Sequence, residues 1–122
     1  MKRFLLLFLL VPASAVAQPT ELEQACIKVA RDFNLSASLT LGVVQSFPDL
    51  VPPGVRLTYS TRKEAKPEDI DDELECEFRN KQPPFDLQSF CLSKNCYSAD
   101  SKEPKEKRRF EEIQSLQGRT SN

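Results

Sequence analysis

Glu73-Leu74-Glu75-Cys76-Glu77-Phe78-Arg79, residues 73–79, alternates charged and apolar side chains without a break. A period of two is the signature of a strand. It puts Leu74, Cys76 and Phe78 on one face and Glu73, Glu75, Glu77 and Arg79 on the other. One face is therefore buried and the other solvated, as in an antiparallel sheet covered by helices on one side. Cys76 points into the core, so its chemistry depends on what the core brings to it.

Upstream, Thr20-Glu21-Leu22-Glu23 fits a capping box that opens a helix reaching Phe33. Leu22, Ala25, Cys26, Val29, Ala30 and Phe33 recur at helical spacing and form an apolar stripe. In a domain this small, such a stripe packs on the chain's own sheet. Cys26 lies on it and faces the same core as Cys76, which makes Cys26–Cys76 the expected cross-link.

Downstream, Phe90-Cys91-Leu92-Ser93-Lys94-Asn95-Cys96-Tyr97-Ser98 sets the other two of the four cysteines five positions apart. A hairpin with strands 88–92 and 95–98 around Ser93-Lys94 brings Cys91 opposite Cys96. Opposed strand residues lie about 4.5–5.5 Å apart, within disulfide range. Chain entropy does not choose among the three possible pairings. It gives roughly 2 kcal/mol for the short loop and about 4 for one of some fifty residues, and other pairings also close long loops. Zinc is disfavoured, because the chain has no histidine and its only close pair is C-x-x-x-x-C. The C-x-x-C motif of thioredoxin-like redox sites is missing as well. No metal and no cofactor is expected.

The first seventeen residues, MKRFLLLFLLVPASAVA, fit a secretory signal peptide. Lys2 and Arg3 precede an apolar run from Phe4 to Val11, and Ala15-Val16-Ala17 ends in a cleavable small-residue motif. An apolar run of eight is too short to remain as a membrane span, which needs about 20 residues. Export after cleavage at Ala17 agrees with an even number of cysteines. The expectation is a periplasmic or secreted bacterial protein without stable membrane insertion. Residues 18–118 form one disulfide-stapled domain, and 119–122 a frayed tail. Without Lys2 and Arg3, fifteen basic side chains face eighteen acidic ones. A mildly acidic domain is a poor nucleic-acid binder.

The remaining segments complete an α+β reading: an N-terminal helix on a small antiparallel sheet, a C-terminal helix, two disulfides. Val55 to Thr61 alternates, with Val55, Leu57 and Tyr59 inward. Leu39 to Phe47 is rich in β-formers but only partly alternating, and fits a strand or the end of a helix from Ser36. After Asp100, Phe110, Ile113 and Leu116 mark a second helix, with Ser101 as a possible cap and Gly118 as its stop. Lys107–Glu111 and Arg108–Glu112 are i,i+4 pairs within it.

The catalytic inventory is thin. Without histidine, Ser-His-Asp and Cys-His mechanisms are excluded in their usual form. The carboxylates at 68–77 could serve a hydrolase, but they fall mostly on a solvated loop and strand face. That stretch also lacks the D-x-[DN]-x-[DN]-G calcium loop. Lys105, Lys107, Arg108 and Arg109 form the densest basic run, interleaved with Glu103, Glu106, Glu111 and Glu112 as on an exposed helix face. Asn34-Leu35-Ser36 is a glycosylation sequon, meaningful only in a eukaryotic secretory route.

Two loops, 47–54 and 82–85, mix proline with apolar side chains, and surface loops without a role tend to be polar. Phe47, Leu50 and Phe85 could either tuck into the core margin or form a rigid rim for a partner. The expected function is thus a non-catalytic module of the cell envelope that binds another exported protein, its oligomeric state open. An inhibitor of an exported enzyme is the alternative, presenting Ser93, Lys94 and Asn95 at the hairpin tip. A carboxylate-based hydrolase comes last.

Overall fold

Why the alternating stretches become neighbours is visible in their register. A computed structural model describes residues 19–119. The signal-peptide reading of 1–17 and the tail beyond Arg119 lie outside the described residues. The elements run α1 (Glu21–Asn34), β1 (Thr40–Phe47), β2 (Gly54–Ser60), a 3-10 turn at Pro67–Asp69, β3 (Asp72–Phe78), β4 (Leu87–Leu92), β5 (Asn95–Ser98) and α2 (Pro104–Arg119). The strands form one antiparallel meander in chain order, β1-β2-β3-β4-β5. Both helices pack against the sheet and against each other.

Two adjacent rows of the ladder define the two faces. Ser46, Val55, Cys76, Phe90 and Tyr97 form one row across all five strands. Val55, Cys76 and Phe90 are buried on it, under the helices. The next row is Gln45, Arg56, Glu75, Cys91 and Cys96. It faces the other way, with Arg56 reaching Glu73 at 2.5 Å and Glu75 at 3.7 Å.

Helix α1 starts at the expected capping box: Thr20 Oγ1 accepts from the Glu23 amide, and the Glu23 carboxylate accepts from the Thr20 amide. It ends where Leu35 turns left-handed, at φ 51°. Its buried face holds Leu22, Cys26, Ile27, Val29 and Ala30. Cys26 is bonded to Cys76 in the core. Phe78, Phe90 and Phe110 are fully buried. Phe90 is the hub, with ring centroids 5.0 Å from Tyr97, 5.7 Å from Phe33 and 6.2 Å from Phe110. Aromatic pairs of this kind add about 0.5–1.5 kcal/mol each beyond the area they bury.

Helix α2 is stitched to its neighbours by polar bonds as well as by Phe110 and Ile113. Arg109 donates to the Phe33 carbonyl and lies 4.9 Å over the Phe33 ring. That carbonyl is among the last four of α1, which lack intrahelical donors, and a cation there also meets the negative end of the helix dipole. Gln117 donates to Ala25 O, and Gln114 to Leu87 O at 3.0 Å.

Three expectations for this end of the chain are corrected. Gly118 does not stop α2, which continues to Arg119; no described glycine takes a positive φ, so Gly118 lacks the left-handed turn that ends a helix. Ser101 does not cap the helix either. The helix begins at Pro104, and Ser101 Oγ instead accepts from the Ser98 amide at 2.9 Å, closing the turn after β5. Glu112 pairs with Arg109 at i,i+3 rather than with Arg108.

Candidate functional site

The two loops rich in proline and apolar residues lie at the same end of the sheet. In an antiparallel meander the β1–β2 and β3–β4 connections share one end, and the β2–β3 and β4–β5 connections share the other. Between the first pair lies a cleft of about 710 Å³ lined by Pro48, Leu50, Val51, Pro53, Arg79 and Lys81. Phe47 is 41 % exposed, Leu50 59 % and Val51 98 %.

Phe47 ends β1 on the solvated side of the sheet, in the row of Gly54, Glu77, Ser89 and Ser98. Val43, also exposed, sits on the same free edge. Its position follows from a register shift between Leu41 and Val44. The Val43 amide donates to Thr58 Oγ1 at 2.9 Å, and Gly42 packs so tightly that a Cβ there would stand 2.3 Å from Thr58 Oγ1. A larger residue there would have to displace the Thr58 and Ile70 side chains, and with Thr58 the bond to Val43. Strand β1 carries no charged residue over its eight positions.

Phe85 behaves differently from Phe47 and Leu50. It is half-buried and meets the Phe78 ring edge-on at 5.9 Å. Its carbonyl accepts from the Asn80 amide at 3.0 Å, and the Asn80 side chain donates to Pro84 O at 2.9 Å. The 79–86 loop is thus braced from inside, with Phe85 at the margin of the core.

Ser93, Lys94 and Asn95 are exposed at the opposite end. Strand β4, of six residues, separates them from the Phe47–Leu50 cluster by about 20 Å. The two groups of expected contact residues therefore form two surfaces. At the tip, Ser93 has φ 52° and Cys91 pairs with Cys96 in a disulfide with Cα atoms 4.0 Å apart. Positive φ at the first turn position alone is the pattern of a type II′ hairpin turn. The Ser93 amide also donates to Glu73 O at 3.3 Å, leaning the tip on β3.

Other sequence features resolve into local structure. Glu77 accepts from Ser89 Oγ at 3.2 Å, while Glu73 and Glu75 surround Arg56. Among the described residues no group of three or more cysteines, aspartates and glutamates is placed to hold a metal ion. Of the basic run, Arg109 is turned inward to α1, and Lys105, Lys107 and Arg108 stay exposed. The sequon's Asn34 donates to Ala30 O at 2.7 Å and reaches Tyr59, whose hydroxyl pKa burial pushes up. Asn34 is a structural side chain at the helix end.

Val43 and Val51 are the surface residues that sequence reasoning passed over. Val51 had a signal, an apolar residue next to Leu50 between prolines; Val43 had none, because its exposure comes from the register shift. The two disulfides point to an oxidising, extracytoplasmic compartment. No known family, no curated protein and no solved structure matches the chain.

Proposed function

We propose that the chain is an exported, non-catalytic protein-binding module of the bacterial cell envelope, which takes up an extended segment of another exported protein along β1. The proposal includes removal of residues 1–17 as a signal peptide and residence in the periplasm or medium. One observation carries it: Val43, Phe47, Leu50 and Val51, four of the six large apolar side chains exposed among the described residues, lie on one free strand edge and its following loop. A free edge offers unpaired N–H and C=O groups, and proteins usually guard such an edge with charge. This one has none, so an uncharged strand can lie beside it without burying an unpaired ion. The shift at Gly42–Val43 leaves Val44–Phe47 as the longest regularly paired run of β1, and the apolar loop that follows it completes the surface.

The test compares oxidised protein with its Leu50→Asp/Val51→Asp variant in affinity capture from envelope extracts. The expected result is a protein retained by the parent and lost by the variant at unchanged circular dichroism. Identical capture by both proteins would remove the reading.

The inhibitor reading retains one supporting observation, the exposed and cross-linked Ser93-Lys94 turn. Lys94→Ala with Asn95→Ala separates the two ideas, since only an inhibitor loses affinity by orders of magnitude.

A further inference from the structure

The two disulfides differ in what surrounds them. Cys26 and Cys76 are 0 % and 1 % exposed, between α1 and β3. Cys96 is exposed and Cys91 half-buried, on the solvated face and one residue from the hairpin turn. Thiol–disulfide exchange requires a thiolate to reach a sulfur, so access governs which bond reacts.

The hairpin is also held by contacts other than its bond. Its strands are paired from Ser89–Ser98 to Leu92–Asn95, and Tyr97 on the opposite face stacks on Phe90 and meets Phe33 at 5.4 Å. The two sulfurs would still face each other once the bond is cut.

We propose that Cys91–Cys96 is an exchange site for an external dithiol, opening on a sheet that does not unfold and reclosing by the reverse exchange with the reagent's own disulfide. A thiolate of the dithiol attacks Cys96 Sγ and forms a mixed disulfide, and the electron pair of the broken bond leaves on Cys91 Sγ, which takes a proton from water. The second thiol of the reagent then attacks its own sulfur in the mixed disulfide. It releases Cys96 as a thiol and leaves the reagent oxidised to a disulfide. The chain gains two electrons from the dithiol and two protons, which the dithiol gives up through water.

The site is independent of the β1 surface, and its test reads different atoms. Oxidised protein is treated with dithiothreitol in native buffer, quenched with iodoacetamide and mapped by peptide mass spectrometry. The expected result is alkylation of Cys91 and Cys96 at least about a thousand-fold faster than of Cys26 and Cys76, because a bond in the core is reached only in rare unfolded molecules. Near-ultraviolet circular dichroism stays native throughout. Simultaneous reduction of both bonds, or loss of the native spectrum with the first, overturns the proposal. So does a Cys91→Ser/Cys96→Ser variant that fails to fold, since it would make the bond a requirement of the hairpin.

Discussion

Cys76 and Cys91 lie on neighbouring strands, in adjacent rows of one ladder, yet their bonds do different work. The bond of Cys76 joins segments fifty residues apart and is sealed beneath a helix; that of Cys91 joins residues five apart and faces water. One step along a strand reverses the face, so one step separates a structural cross-link from an accessible one. The comparison teaches that cysteine count and compartment say little about an individual bond, whereas the row it occupies says much.

The comparison breaks first, if it breaks at all, at the buried bond. Replacing Cys26 and Cys76 together by alanine should cost about 5 kcal/mol, near the upper end for a native bridge, since a long loop is released and the core is left underfilled. Thermal melting should fall by more than about 20 °C. Phe90→Ala, in the same row as Cys76, should cost about 4 kcal/mol in urea unfolding, because the ring touches aromatic groups from both helices and β5.

Removing Cys91 and Cys96 together should cost about 2 kcal/mol, the loop-entropy value for so short a ring. An equal loss for the two bonds would erase the distinction.

A smaller effect is expected from Tyr59, on the buried face. Its folded pKa is raised by burial, lowered in part by the Asn34 side chain and raised again by Asp72. The folded state then holds its proton where the unfolded chain releases it, so stability is full below about pH 10 and declines as pH rises beyond it. Denaturation midpoints across that range measure this, and Tyr59→Phe should flatten the decline. Smallest of all, Ser89→Ala on the solvated face should shift stability by about 0.5 kcal/mol or less.

Much of this contrast could be read from residues alone. Strands β2 and β3 alternate strictly, so Val55, Leu57, Tyr59, Leu74, Cys76 and Phe78 declared their face, and both disulfide pairings followed from geometry. Strand β1 resisted because its register shift puts Leu41 and Val44 on the same side, three apart, which destroys the period of two. Ile27 escaped the helical stripe because the buried face of α1 is wider than a single stripe. The end of α2 was misplaced because a glycine can terminate a helix or merely weaken it, and only its backbone angle tells which. The surface was legible in part. Proline-flanked apolar residues drew attention to both loops, but Phe85 turns inward and Leu50 outward for reasons set by tertiary contact with Phe78, which neither loop's sequence records.

The guanidinium seated on the Phe33 carbonyl has a temporal consequence. A nascent polypeptide emerges from its amino end, and the Phe33 carbonyl meets its side-chain donor only once a residue seventy-six positions later has been made. Any fragment ending before that arginine lacks this contact and the Phe110 ring as well, so one wall of the aromatic cluster stays open.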